Sequence, residues 1–391
     1  MANFIPYGKQ SIEEDDIQSV VNILNSDFLT QGPTTSKFEN LISSYVNSNY
    51  AVTVNSATSG LHLACLALGL KDGDIVWTSP NTFVSSANCA LYCNALIDFV
   101  DIDISTGLMS INKLEEKLKV AKSQNKLPKI LIPVHLAGSS CDMKKIYELS
   151  LEYEFKIIED ASHAMGGKYQ KYKVGSCKYS DITIFSFHPV KIITTGEGGV
   201  ATTNNVELAD KMIQLRAHGI TKDKNKFISK SSPPWHYEQH FLGFNYRMND
   251  IQAALGISQL SKVDKFVKKR NELREEYIKN ISNEEIKFLE IPEDVYSALH
   301  LLVIRINNIS EKKHIEFFKN LRKCGIGVQL HYKPVHLQPH YINLGFKKND
   351  FPVAEKYATS ALSIPLFPNL KHEELIFVVN SVEKITKSIL F

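Results

Sequence analysis

Between residues 50 and 203 the chain repeats one arrangement: a short apolar run, a turn of small or polar residues, then a stretch with helical spacing. The apolar runs fall at 51–54, 74–79, 95–100, 129–134, 155–158, 181–185 and 200–203, and helical spacing fills 61–70, 83–93, 111–119 and 143–152. Strands that are apolar on consecutive positions must be covered on both faces, and helices between them supply the cover. The pattern therefore predicts an α/β fold, doubly wound about a mostly parallel sheet, with ligands at the carboxyl ends of its strands. Ahead of the repeat, Ser11-Ile12-Glu13-Glu14 has the spacing of a capping box. It predicts a helix to about residue 24, with Ile17, Val20, Val21 and Leu24 on one face. A second helix is expected over about 36–46. After the repeat, residues 221–240, with Lys222, Lys224, Lys226, Lys230 and Pro233-Pro234-Trp235, read as a long polar loop. Loops of that length are uncommon unless functional or disordered. Long helices are expected over 248–260 and 262–278. Alternating strands and helices from about 285 form a smaller α/β domain, so the expected division is 1–250 and 251–391.

Composition narrows the function classes. A chain of 391 residues with 43% hydrophobic and 22% charged residues has enough apolar content for two globular domains. A formal net charge of +3 gives no ground for nucleic-acid or anionic-membrane binding. No stretch approaches the ~20 apolar residues of a membrane span. The N-terminus, Met1-Ala2-Asn3-Phe4-Ile5-Pro6, lacks the basic and apolar regions of a secretory signal. Cys65, Cys89, Cys93, Cys141, Cys177 and Cys324 form no C-x-x-C pair, so no metal site is expected, and they read as reduced core residues of a cytoplasmic protein.

Chemistry concentrates at the ends of the expected strands. Lys191 lies in Ser186-Phe187-His188-Pro189-Val190-Lys191, on a connection that runs through Thr194-Thr195-Gly196-Glu197-Gly198-Gly199 to the next apolar run. The run 157–158 leads into Glu159-Asp160-Ala161-Ser162-His163-Ala164. A lysine and a carboxylate at neighbouring strand ends suit pyridoxal 5'-phosphate (PLP), which is anchored through a lysine amine and paired at its ring nitrogen with a carboxylate. Asp160 ends an apolar strand and so needs a cationic or proton-sharing partner; that ring nitrogen and a structural Arg or Lys are the two readings. His163 buttresses either. The turn Asn55-Ser56-Ala57-Thr58-Ser59-Gly60 opens a helix and suits a phosphate, although Ser and Thr are also ordinary N-caps. Phe83 is either a stacking partner for the pyridine ring or a core phenylalanine. Ser186 is a candidate second phosphate ligand, and His188 is a ligand or a structural histidine.

With these motifs in place, together with Gly243-Phe244-Asn245-Tyr246-Arg247-Met248-Asn249, the chain resembles the PLP-dependent nucleotide-sugar aminotransferases of the DegT/DnrJ/StrS group. The resemblance begins at Leu29-Thr30-Gln31-Gly32 and runs into the C-terminal domain. It implies the aspartate-aminotransferase-like fold (fold type I), with a seven-stranded large-domain sheet, and a homodimer with active sites at the interface. It gives Lys191 the anchoring role and Asp160 the ring nitrogen, with His163 beside them as a catalytic residue. Phe83 takes the stacking place, and Ala57, Thr58 and Ser186 the phosphate, joined by Asn245 from the neighbouring subunit. Tyr7, Thr30, His188, Arg247, His331 and Tyr332 fall at substrate-binding positions. Val134-His135-Leu136-Ala137-Gly138, where many relatives carry a tyrosine before the glycine, and His331-Tyr332-Lys333-Pro334 resemble one subgroup. Its members transfer an amino group from L-glutamate to C4 of UDP-2-acetamido-2,6-dideoxy-β-L-arabino-hexos-4-ulose in pseudaminic acid biosynthesis. The 221–240 loop is longer than that subgroup implies. Another 4-keto or 3-keto nucleotide sugar is the alternative substrate, and a non-catalytic regulatory protein is the alternative of a different class.

Overall fold

The computed structural model describes residues 4–229 and 233–390; Met1, Ala2, Asn3 and Lys230 of the sequence reading lie outside the described residues. The apolar runs form one seven-stranded sheet. Its strands are β1 (Tyr50–Val54), β2 (Ile75–Thr78), β3 (Leu96–Phe99), β4 (Ile130–Ile132), β5 (Lys156–Asp160), β6 (Ile182–Ser186) and β7 (Gly199–Thr203). The spatial order is β1-β7-β6-β5-β4-β2-β3, and β7 alone runs antiparallel to both of its neighbours. The sheet is therefore mostly parallel, as expected. The strands are buried on both faces: Ile130, Leu131 and Ile132 of β4, and Ile182, Ile184 and Phe185 of β6, are inaccessible.

Seven helices accompany the sheet: α1 (Glu14–Leu24), α2 (Pro33–Val46), α3 (Ala57–Ala67), α4 (Ser85–Leu91), α5 (Ile111–Ser123), α6 (Met143–Tyr153) and α7 (Val206–Leu215). The cap of α1 differs from the expectation. Glu13, not Ser11, precedes the helix, and its N–H donates to the Asp16 carboxylate at 2.9 Å. Ser11 is buried instead, and its hydroxyl accepts from Asn369. The apolar face of α1 also points the unexpected way, since Ile17, Val21 and Leu24 are exposed. What faces inward is Asp16, fully buried, whose carboxylate accepts from Ser258, Gln259 and Lys262 at 2.6–2.9 Å.

Those partners belong to α8 (Asp250–Leu260) and the residues just after it, followed by α9 (Val263–Asn280). Asn249 caps α8 by a reciprocal pair of bonds with Gln252, and Asp250 accepts the Gly32 and Thr35 N–H groups at the start of α2. Helix α8 thus packs with the large sheet's helices rather than with the C-terminal unit. Along α9, Val263, Phe266 and Val267 share a core with Phe38 and Met248, whereas Leu273 and Tyr277 share one with the small sheet. We therefore propose that the two domains meet along α9 rather than at 250/251. The small sheet is β8 (Ile286–Phe288), β9 (Leu302–Ile306) and β10 (Ala361–Ile364), antiparallel throughout and covered by α10 (Glu311–Lys323) and α11 (His372–Leu390), the last of the long helices. The N-terminal arm joins it, with Ile5 buried and hydrogen-bonded across to Gly325 and Gly327.

Among the described residues of 221–240, the segment presents more apolar surface than a polar loop implies. Its base is a short pairing of Ile220–Thr221 with Glu238–Gln239. The Glu238 carboxylate accepts the Ile228 and Ser229 N–H groups, and Lys226 pairs with Asp210 at 2.7 Å. Ile228, Trp235, Tyr237 and, just beyond, Leu242 are exposed. Five of the cysteines are buried, but Cys324 is exposed, so it is not the core residue expected of it.

Candidate active site

The carboxyl edge of the large sheet opens into a cavity of about 420 Å³. Each wall follows from a strand end. β5 stops at Asp160, whose N–H and C=O are held by Pro133 and His135 of the neighbouring connection. β6 stops at Ser186, beyond which the chain turns through His188 to Lys191. β1 leads into Ser56, which caps α3 by accepting the Ser59 N–H, so Ala57 and Thr58 reach the cavity at a helix N-terminus. Free N–H groups there, with the helix dipole behind them, suit an anion. Gly199 of β7 makes this possible, because a Cβ there would lie 2.7 Å from the Ala57 nitrogen and 2.8 Å from the Phe185 carbonyl oxygen.

Asp160 is buried, and its oxygens accept from Ser86 Oγ at 2.6 Å, Ser162 Oγ at 2.6 Å and Ser162 N–H at 3.1 Å. Among the described residues it makes no salt bridge, which removes the structural Arg or Lys partner as a reading. Glu159, the preceding residue, points to the other face as strand alternation requires. It bonds buried His135 at 2.7 Å. Burial pushes the Lys191 amine down to about 8, against the pull of the Asp160 carboxylate. Burial, reinforced by the Lys191 charge, also pushes His331 down to about 3 and His163 well below the ordinary histidine value. Three neutral imidazoles, His163, His300 and His331, therefore line the cavity beside one lysine.

Of the expected site residues, Lys191, Asp160, His163, Ala57, Thr58, Phe83, Ser186, Tyr7, His188, His331 and Tyr332 come together in this cavity. Phe83 is 56% exposed and lies 6.2 Å from the Tyr332 ring, which rules out the core reading. Thr30, Asn245 and Arg247 do not line it. Thr30 and Asn245 are exposed on the chain's surface, and Asn245 is bridged through its backbone to Ala217. Three contributors were missed by the sequence reading. Ser86 reaches Asp160 from α4, and His300 lies with its ring centroid 4.4 Å from that of His163. Arg270, almost wholly buried and without a carboxylate partner among the described residues, donates to the carbonyls of Leu299, His300 and Leu366, and so fixes the wall that bears His300. Ser86 follows the aromatic in Phe83-Val84-Ser85-Ser86 at the spacing of a first helical turn, and a search for hydroxyls facing Asp160 would have reached it.

Comparison with known proteins gives this geometry a class. A solved structure titled "Putative sugar aminotransferase Spr1654 from Streptococcus pneumoniae, PMP-form" matches with TM-score 0.90 at 30% identity, over 99% of this chain and 100% of that one. The fold is that of the PLP-dependent transferases of fold type I. The chain belongs, more narrowly, to the DegT/DnrJ/EryC1/StrS aminotransferase family, whose model matches residues 10–383. It is a PLP-dependent nucleotide-sugar aminotransferase. A transaminase of Campylobacter jejuni subsp. jejuni serotype O:23/36 (strain 81-176), named for UDP-4-amino-4,6-dideoxy-N-acetyl-beta-L-altrosamine, is 36% identical over 386 residues and 98% of each chain. Helicobacter pylori PseC, "aminotransferase involved in the biosynthesis of pseudoaminic acid", matches with TM-score 0.89 at 30% identity over 99% of this chain and 100% of that one. Among the described residues no helix is long and apolar enough to cross a membrane, and no group of three or more His, Cys, Asp or Glu is placed to hold a metal.

Proposed function

We propose that the protein moves an amino group from L-glutamate to C4 of a UDP-linked 4-keto-6-deoxy-N-acetylhexosamine, the pseudaminic-type substrate, in the cytoplasm. The observation that carries the choice of sugar is the full-length likeness to the Campylobacter jejuni transaminase named for the product of that transfer.

The cavity fits PLP on its own chemistry. Asp160 accepts hydrogen bonds but makes no salt bridge among the described residues, and a helix N-terminus opens beside it. When bound, PLP supplies an electron-poor ring that makes the hydrogen next to the transferred nitrogen acidic. The remaining work belongs to this chain. Lys191 holds the cofactor and, once freed, uses Nζ to take the proton from the α-carbon of glutamate and to give one to C4 of the sugar. A pKa of about 8 leaves roughly a tenth of the free amine neutral at pH 7, enough for both directions of proton transfer. Asp160 holds the ring nitrogen protonated, and Ser86 and Ser162 hold Asp160. Phe83 would pack against the bound ring, and Ala57, Thr58 and Ser186 would hold the phosphate. Tyr7, His188, His331 and Tyr332 meet substrate from the walls.

Asn245, Thr30 and Arg247 serve a neighbour's cavity in a homodimer. Their absence from this chain's cavity fits that role, and so does the apolar surface of Ile17, Val21, Leu24, Phe28 and Leu29 left bare on α1 and after it.

The test is a panel. PLP-loaded protein with L-glutamate and UDP-, dTDP- and GDP-linked 4-keto and 3-keto sugars should aminate the UDP-linked 4-keto-N-acetylhexosamine best. Turnover confined to another sugar would remove this substrate. Failure of glutamate to bleach the visible band would favour the non-catalytic reading.

A further inference from the structure

His163 Nδ1 accepts a hydrogen bond from the backbone N–H of Ala137 at 3.2 Å, and its Nε2 lies 3.2 Å from the hydroxyl oxygen of Tyr332. A backbone N–H can only donate, so Nδ1 carries a lone pair. The imidazole is then neither a cation nor an Nδ1–H tautomer, and its single ring proton is at Nε2. That proton is committed to Tyr332 Oη. We propose that Tyr332 is an oriented hydrogen-bond donor to a carbonyl or carboxylate oxygen bound in the cavity, and that His163 is the positioning residue that orients it. With one lone pair occupied by His163, the phenolic hydrogen is directed away from the imidazole. Tyr332 lines the cavity with Lys191 and Phe83, so an oxygen ligand there is the acceptor it can meet.

The surrounding structure holds each member of the relay. Ala137 has a left-handed backbone, φ 57°, in the turn after β4, and that conformation presents its N–H to the imidazole. Its neighbour Gly138, φ 100°, lets the turn lie against the Leu299-His300 backbone, because a Cβ there would approach the Leu299 nitrogen to 2.6 Å. Tyr332 is fixed from both domains. Its N–H donates to Asn81 Oδ1 at 3.0 Å, and His331 beside it bonds Ser363 of β10 at 2.8 Å. Burial and the Asp160 charge keep the phenol protonated, while burial together with the charge of Lys191 keeps His163 neutral. A neutral donor already aimed at a developing charge needs no rearrangement during reaction.

The inference rests on the aminotransferase reading, and the oxygen has two possible sources: the carboxylates of glutamate or the keto group of the sugar. Rapid mixing separates them. One arm follows bleaching of the PLP-loaded protein by L-glutamate. The other follows return of the band when the amine form meets the keto-sugar or, as its control, 2-oxoglutarate. Tyr332→Phe should slow one arm by about a hundred- to a thousandfold, the range for losing one oriented donor. His163→Leu should slow the same arm to a similar degree. His163→Leu combined with Tyr332→Phe should be no slower than Tyr332→Phe alone, because both remove one hydrogen bond to the ligand. His163→Gln, which keeps a donor toward Tyr332, should recover most of what leucine loses. Independently of activity, 15N spectra of histidine-labelled protein, assigned with His163→Gln, should show His163 as a neutral Nε2–H ring at pH 7.5.

An Nδ1–H or cationic His163 overturns the relay even if the variants fail to fold. Multiplying effects in the double variant, or a Tyr332→Phe protein unchanged in both arms, overturn it as well. Wild-type protein that glutamate does not bleach would instead remove the aminotransferase reading, which is a different outcome.

Discussion

Lys191 shows what an active site takes from the fold around it. Its amine is pushed down to about 8 by burial, whereas a lysine in the unfolded chain titrates near 10.4. Between those values the unfolded chain binds more protons than the folded one, so stability rises with pH there; below about 8 both states are charged and the full penalty remains. Lys191→Met, which keeps the side-chain volume and removes the charge, should therefore stabilise the cofactor-free protein at pH 7 by roughly 1–3 kcal/mol. The advantage should shrink toward pH 10.5. Melting temperatures of the two apoproteins across that range check it; a destabilised variant at pH 7, or a gap indifferent to pH, would refute it. The residues that build this site were only partly legible. Asp160 stands out in sequence because a charged residue at the end of an apolar strand demands a reason, and Lys191 does so in its company. His300 and Arg270 do not, since a histidine in an apolar run and an arginine in a charged helix look ordinary until the chain is folded back on itself.

Elements were more legible than their edges. Seven apolar runs became seven strands, because burial on both faces leaves a composition that little else produces. The direction of β7 was not legible: an apolar run reads the same in either direction, and only the short, glycine-rich connection after Lys191 decides it. The inward side of α1 was misjudged for a related reason. Periodicity identifies an apolar face but not what covers it, and here buried Asp16 supplies the contact with α8. The glycine at the start of β7 is where element packing and chemistry meet. Gly199→Ala would place a methyl group 2.7 Å from the Ala57 nitrogen and 2.8 Å from the Phe185 carbonyl. Both are backbone atoms, so the α3 N-terminus must move. A cost of about 1–3 kcal/mol is expected for overpacking of this kind. PLP affinity should fall with it, since the displaced atoms belong to the proposed phosphate cup. Cofactor titration beside a melting curve would tell the two effects apart, and unaltered PLP binding would detach α3 from that role.

At the scale of the whole molecule, the cavity is a junction. Asp160 and Lys191 come from the large sheet, His331 and Tyr332 from the chain leading to the small one, and Tyr7 from the arm whose carbonyl accepts the Leu366 N–H. One chain still leaves part of the motif-bearing sequence unused. Asn245 is exposed, outside the cavity, and nearby in the chain Ile228, Trp235 and Leu242 are exposed to solvent. The bare face of α1 is a second apolar surface of the same chain. A second copy accounts for both, covering the apolar surfaces and bringing Asn245 to the cofactor phosphate of its neighbour. Complementation would show it. Lys191→Ala protein lacks the amine, and Asn245→Asp protein sets a negative charge against the phosphate, so each alone should be nearly inactive. In a hybrid, the site that takes Lys191 from one chain and Asn245 from the other is whole, and the second site carries both defects. Random exchange of equal amounts makes half of the dimers hybrid, so about a quarter of wild-type activity should return. Exchange without recovery, with mixed dimers demonstrated by mass, would mean that Asn245 serves the chain that carries it.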